Sequence, residues 1–271
     1  MSARRIPVVL SIAGSDSGGG AGIQADLKAF ARAGVHGATA ITAITVQNTV
    51  AVSAVQAIAP EIIAGQVRAV VEDLGVDAVK IGMLGDRTTI ETVAAALDAL
   101  PPGTPVVHDP VMVAESGARL LATDAIDALR TLILPRATVI TPNLAEARAL
   151  AGGPIDDDAL DGEPLARALH HLGPAVVVIT GGHRDEATDI FYDGSAMTEL
   201  PGERHPDGAA HGSGCTHSST LAARLALGDD PLSAARAARA VAAQAVGDGL
   251  RDLGAGPGPV DVFGLARAHQ S

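Results

Sequence analysis

The chain has 271 residues, 47% of them hydrophobic, and a formal charge of −12. That is enough apolar material for a full α/β core, yet no run approaches the roughly 18 uninterrupted apolar residues of a membrane span. The negative charge argues against a nucleic-acid backbone as partner, three Phe, one Tyr and no Trp argue against single-strand binding by stacking, and one cysteine excludes an intrachain disulfide.

The first apolar run, Val8-Val9-Leu10-Ser11-Ile12-Ala13, stops after six residues at Gly14. It is shorter than the roughly 7–15 residues of a secretory signal core, so it reads as the first buried strand of a cytoplasmic protein. Strands are predicted at 6–13, 38–46, 78–81, 106–108, 138–141 and 175–180, and amphipathic helices at 21–33, 60–74, 88–100, 123–132, 144–151 and 160–172. Continuous rather than alternating apolarity suits parallel strands covered on both faces. The βαβ rhythm therefore predicts a mostly parallel central sheet flanked by helices in three layers. Ile190-Phe191-Tyr192 and Met197-Thr198-Glu199-Leu200 flank Asp193-Gly194-Ser195, a hairpin signal. Helices at 215–227 and 232–250 finish the pattern, residues 152–163 read as an exposed acidic loop, and no linker divides 1–271, which reads as a single domain.

Chemistry-bearing residues gather at the predicted strand ends, where parallel sheets place their ligands. The loop Gly14-Ser15-Asp16-Ser17-Gly18-Gly19-Gly20-Ala21-Gly22 lacks the lysine of a P-loop. Gly20-x-Gly22-x-x-Ala25 lacks the acidic residue that would complete a dinucleotide fingerprint. The loop reads as a substrate-side turn, with a ligand-free turn as the alternative; Asp26, one turn into the next helix, is placed to bond a hydroxyl. Gln47 offers a donor and an acceptor, matching an aminopyrimidine edge or simply facing solvent. Met83 suits either an apolar slot for a flat ring or the core. Asp109, Asn143 and Glu146 follow neighbouring strands and offer hard oxygens to Mg²⁺, although Asn143-x-x-Glu146 is also a helix-capping pattern. In His211-Gly212-Ser213-Gly214-Cys215, two glycines open an alanine-rich helix whose N-terminal amides suit a transferring phosphoryl group. The helix dipole there favours a Cys215 thiolate that would take or orient an alcohol proton; a small buried hydrophobe is the equal alternative.

Together these segments form a pattern. Residues 13–28, Thr42-Ala43-Ile44-Thr45-Val46-Gln47-Asn48-Thr49, Lys80-Ile81-Gly82-Met83-Leu84-Gly85, Asp109-Pro110-Val111-Met112-Val113-Ala114, Thr141-Pro142-Asn143-Leu144-x-Glu146-Ala147 and 211–216 closely resemble, in order, the hydroxymethylpyrimidine/phosphomethylpyrimidine kinases. The resemblance spans about 8–246. It implies a ribokinase-like fold and ATP- and Mg²⁺-dependent phosphorylation of 4-amino-5-hydroxymethyl-2-methylpyrimidine, then of its monophosphate, for thiamine synthesis. Carried over by motif, Asp26, Gln47 and Met83 contact the pyrimidine, with Gly14 and Val111 lining its pocket. Asp109 and Glu146 serve the metal and phosphates; Asn143, Thr180 and Ser213 lie on the nucleotide side; Gly212, Gly214 and Cys215 form the anion hole and carry catalysis. Homodimers are common among such proteins. Thr180 and Glu115 stand where such kinases often carry lysine, with Arg184 as the nearby cation to replace the first. A pyridoxine-type kinase of the same fold and a non-catalytic ligand-binding module are the rival readings.

Overall fold

In the computed structural model, which describes residues 5–152, 162–181 and 187–268, β1 (Val8–Ala13) has all six residues buried, as a strand paired on both edges and covered on both faces requires. After it come α1 (Gly22–Ala33), β2 (His36–Ile41), β3 (Ala43–Gln47), β4 (Val52–Ala57), α2 (Pro60–Asp73), β5 (Ala78–Ile81), α3 (Arg87–Ala96), β6 (Val106–His108), α4 (Ile126–Ala128) and β7 (Val139–Ile140). Then follow α5 (Leu144–Ala151), α6 (Gly162–His170), β8 (Val176–Ile179), β9 (Asp189–Tyr192), β10 (Met197–Leu200), α7 (Ser213–Ala226), α8 (Pro231–Gly247) and α9 (Leu265–Ala268). The main sheet has the order β10-β9-β8-β7-β6-β5-β1-β2. From β2 to β8 its pairs are parallel, and the predicted hairpin β9–β10 adds two antiparallel strands. Among the described residues no helix is long and apolar enough to cross a membrane.

Two apolar layers cover the sheet. Leu10, Ile12, Val79 and Ile81 pack with Ile63 and Val67 of α2, Ile90 and Val93 of α3, Leu150 of α5 and Leu165 of α6. Their neighbours Val9, Ala78, Val107 and Val178 face the other way, onto Phe30 of α1, Leu221 and Ala222 of α7 and Ala234 and Ala238 of α8. The alternation is the two-residue period of a strand, with both faces dry. The strand order reverses at β1, which pairs with β2 on one edge and β5 on the other. Such a reversal opens a crevice beyond the strand carboxyl ends.

Two expectations are corrected. The predicted strand 38–46 is two strands, because Thr42 ties the chain sideways: its N–H donates to Ala13 O and its hydroxyl to Met83 O. Beyond it β3 leaves the main sheet and pairs antiparallel with β4, an element the sequence reading lacks. The predicted helix 123–132 is an irregular helical run to Arg136 that widens into a π turn at Leu129–Ile133, ahead of Pro135. Of the predicted acidic loop, residues 153–161 lie outside the described residues.

Candidate active site

A cleft of about 390 Å³ lies at the strand carboxyl ends and is lined by the loop after β1, the end of β5, the turns after β6 and β7, and the start of α7. The loop after β1 is organised by Asp16, whose carboxylate accepts from the amides of Gly18, Gly20 and Ala21 and pairs with His211 Nε2 at 2.9 Å. Burial pushes its pKa upward, but the His211 and amide hydrogen bonds prevail and hold it below the ordinary carboxylate value. Asp16 and His211 thus pin the loop to the turn that opens α7.

That turn depends on glycine. Gly212 has φ +86°, and a Cβ on it would overlap the carbonyl of Gly20. Ser213 N–H donates back to Ala210 O, and Thr216 N–H to Gly212 O. The N–H groups of Gly214 and Cys215 have no acceptor among the described residues, and both residues line the cleft. They form the anion-binding start of a 14-residue helix.

Charged side chains converge beneath it. Asp109 Oδ2 accepts from Ser218 Oγ at 3.0 Å and lies 4.0 Å from Lys80 Nζ. Glu146 completes a capping box: its Oε2 accepts from Asn143 N–H at 2.9 Å, and Asn143 Oδ1 accepts from Glu146 N–H. Its Oε1 accepts from Met112 N–H at 3.3 Å. Burial, and then the charge of Asp109, push Glu146 up to about 8; burial also raises Asp109, with Lys80 opposing. Two desolvated carboxylates that repel each other are receptive to a cation. Among the described residues no group of three or more acidic, histidine or cysteine side chains forms a ready cage. The pair therefore fits Mg²⁺, which uses one or two carboxylates plus phosphate and water.

Gly14, Gln47, Met83, Val111, Asp109, Asn143, Glu146, Thr180, Gly212, Ser213, Gly214 and Cys215 all line this one cleft. The terminal methyl of Met83 occupies the space that a Cβ on Gly14 would need, so the glycine lets the thioether lie flat against the loop. Asp26 is the exception. It is fully buried and absent from the lining, its oxygens taken by Ser11 Oγ at 2.6 Å, Ser219 Oγ at 2.7 Å and Lys80 Nζ at 2.9 Å. The expected contact with a substrate hydroxyl is replaced by a role as counter-ion. Of the two readings of Cys215, the neutral thiol is favoured: burial, with Asp26 and Asp109 adding and Lys80 opposing, pushes its thiol up to about 12, so the helix dipole does not prevail. Glu115 lines the rim, while Arg184 lies outside the described residues.

Sequence reasoning missed Lys80 as a site residue, although a lysine within Ala78-Val79-Lys80-Ile81 was a visible signal. It also missed a polar cluster on the cleft's far wall. There Asp189 lies 3.3 Å from His217 Nε2 and 3.7 Å from Arg239 Nε, and accepts from Gly181 N–H at 2.8 Å. Nothing in the separate segments places these three side chains together.

The profile of the phosphomethylpyrimidine kinase family matches residues 16–261. A Rhizobium meliloti protein named hydroxymethylpyrimidine/phosphomethylpyrimidine kinase is 48% identical, over 94% of this chain and 97% of its own length. The solved pyridoxal kinase of Staphylococcus aureus in complex with ADP superposes with a TM-score of 0.87 at 33% identity, covering 97% of this chain and 96% of that one. Phosphomethylpyrimidine kinase from Clostridium difficile gives 0.73 at 38% identity, over 87% of this chain and 96% of its own. With the ordered motifs, the parallel sheet and the cleft, these matches establish that the chain belongs to the phosphomethylpyrimidine kinase family.

Proposed function

We propose that the chain transfers the γ-phosphoryl group of ATP to the hydroxymethyl oxygen of 4-amino-5-hydroxymethyl-2-methylpyrimidine, and then phosphorylates the monophosphate, for thiamine synthesis. One observation carries the reading: the unpaired amides of Gly214 and Cys215 share a cleft with the Asp109–Glu146 pair and with Met83, Val111 and Gln47. The name of the Rhizobium relative supports the acceptor, and ADP in the Staphylococcus structure supports an adenine-nucleotide donor.

Met83, Gly14 and Val111 hold the flat ring, and the Gln47 amide reads its polar edge. Asp109 and Glu146 would hold Mg²⁺, directly or through water, with Asn143 and Thr180 beside them; the ion supplies positive charge to the outer phosphates. The hydroxyl oxygen forms the new P–O bond as the bond from the γ-phosphorus to ADP breaks, and the amides of Gly214 and Cys215 take up charge on the transferring group. Cys215 enters as a neutral thiol, its pKa being about 12. It orients the hydroxyl through a weak hydrogen bond, while the proton passes to a phosphoryl oxygen and then to water. Gln47→Ala should raise KM for the alcohol; an unchanged KM would remove Gln47 from the ring pocket.

We place this single-domain kinase in the cytoplasm as a homodimer. The hairpin β3–β4 projects Ile44 and Val46 from one face at 43% and 59% exposure. Such an exposed apolar pair suits a second copy; Val46→Glu should yield monomers in sedimentation, and a wild-type monomer would refute the assembly. The high structural likeness to a pyridoxal kinase favours one rival acceptor. Incubating the protein with either alcohol and Mg·ATP, then resolving mono- from diphosphorylated product, separates the two. Release of ADP with neither ring would end the kinase reading.

A further inference from the structure

Lys80 has no part in the scheme above, yet it lies at its centre. Its side chain is fully buried at the end of β5, and it contributes to the cleft lining. The ammonium sits 2.9 Å from Asp26 Oδ1 and 4.0 Å from Asp109 Oδ2. Asp26 is itself fixed by Ser11 from β1 and Ser219 from α7, so three elements besides β5 converge on this one cation. A Cβ at Gly82 would lie 2.9 Å from Nζ, so the strand is bare where the ammonium passes.

A space-filling requirement at this position would be met by an apolar side chain, without the desolvation of two charges. The charge is also aimed. It lies between its counter-ion and Asp109, and the Cβ position of Gly214 is only 3.9 Å from Asp109 Oδ2. The anion-binding turn therefore stands directly over this row.

We infer that Lys80 is a positioning residue for phosphoryl transfer: clamped by Asp26, its fixed positive charge holds the Asp109 carboxylate against Ser218 and acts on the charge that builds at the 213–215 turn. Asp26 then serves the reaction through Lys80, not by touching the ring. The inference rests on the kinase reading, which wild-type turnover of the alcohol tests separately.

The test compares the wild type with Lys80→Met and Asp26→Asn. The probes are ADP alone and ADP with aluminium fluoride, Mg²⁺ and the pyrimidine alcohol, a mimic of the planar phosphoryl group. Lys80→Met should lower kcat by about 10²-fold and weaken the fluoride complex by a similar factor, with ADP affinity and both KM values within about threefold of wild type. Asp26→Asn should lower kcat by roughly tenfold and leave KM for the alcohol in place. A Lys80→Met enzyme with near wild-type kcat overturns the inference. So does equal weakening of ADP and of the fluoride complex, or an Asp26→Asn effect confined to KM for the alcohol. Should Lys80→Met fail to fold, the double variant Lys80→Met/Asp26→Asn removes both charges of the pair together and is judged by the same criteria.

Discussion

Replacing Gly212 and Gly214 with alanine, one at a time, separates the shape of the phosphoryl-binding turn from its chemistry. At 212 the new methyl would lie more than about 1 Å inside the 3.0 Å that real Cβ atoms keep from such neighbours, and the obstacle is the backbone carbonyl of Gly20. The φ of +86° adds the left-handed penalty of an L-residue, about 1–2 kcal/mol. Relief requires the 14–22 loop and the turn to part by about 1 Å, a displacement that costs about 10²-fold in a positioned reaction. Gly212→Ala should therefore lower kcat about 10²-fold and Tm by roughly 5 °C. At 214 a methyl would be 3.9 Å from Asp109 Oδ2, an ordinary contact. Alanine is also the better helix former, by up to about 1 kcal/mol. Gly214→Ala should keep or raise Tm, yet lose turnover as the methyl enters the phosphoryl position. Steady-state kinetics and thermal unfolding on both variants give the answer. Wild-type turnover in Gly214→Ala, or wild-type Tm and kcat in Gly212→Ala, would refute this account of the turn.

Three further outcomes follow. Cys215→Ala should lower kcat only about tenfold, because a thiol near 12 is not the standing base whose loss costs about 10²–10⁴-fold; iodoacetamide labelling at pH 7 should be correspondingly slow, and rapid labelling would restore the thiolate. Glu146→Gln keeps an oxygen for the capping amide of Asn143 but removes a charge, so the fold should persist while the Mg²⁺ concentration for half-maximal rate rises at least roughly tenfold; an unchanged Mg²⁺ titration would remove Glu146 from the metal site. His108 is buried on β6, and burial followed by the charge of Lys80 lowers its pKa to about 3. The unfolded chain binds that proton below about 6.5 while the folded chain does not, so this contribution is intact above 6.5 and lost as pH falls toward 3, by at most about 5 kcal/mol. Urea unfolding between pH 7 and 4 should show a slope that His108→Asn flattens; identical slopes would contradict the assignment.

Which parts of this were legible in the sequence depends on how far apart the interacting residues lie. β5 and β6 were read with their observed bounds, because continuous apolarity is a local signal. The break at Thr42 was not, since Ala43, Ile44 and Val46 continue the apolar run and only the distant Met83 carbonyl and Ala13 turn the chain. A local clue existed in Asn48, whose side chain accepts from Val50 and Ala51 N–H and makes the hairpin turn. In the site, Asp109 and Glu146 could be placed because strand ends collect ligands. The role of Asp26 could not, because it is set by Ser11, Lys80 and Ser219, residues 15, 54 and 193 positions away. The two readings of Cys215 stay open in the sequence for a related reason: it shows a helix start, whereas burial and the acids beside the sulfur decide its protonation.

The charge of the cleft bears on how a phosphoryl group would be held there. Its described lining carries six acids, Asp16, Asp109, Glu115, Glu146, Asp189 and Glu203, against three strong bases, Lys80, Arg204 and Arg239. Asp16 is engaged by His211 and three amides, and Asp189 by Arg239 and His217. Lys80 is committed to Asp26 and cannot move toward a ligand without leaving a buried carboxylate bare. Among the described lining residues, two of the three strong bases, Lys80 and Arg239, are thus already paired with buried carboxylates. The amides at 214 and 215, which cannot titrate, offer a polyphosphate one source of attraction, and an Mg²⁺ held by Asp109 and Glu146 would supply another. In a chain of net charge −12, that arrangement favours an anion where the turn and the acid pair share a cleft.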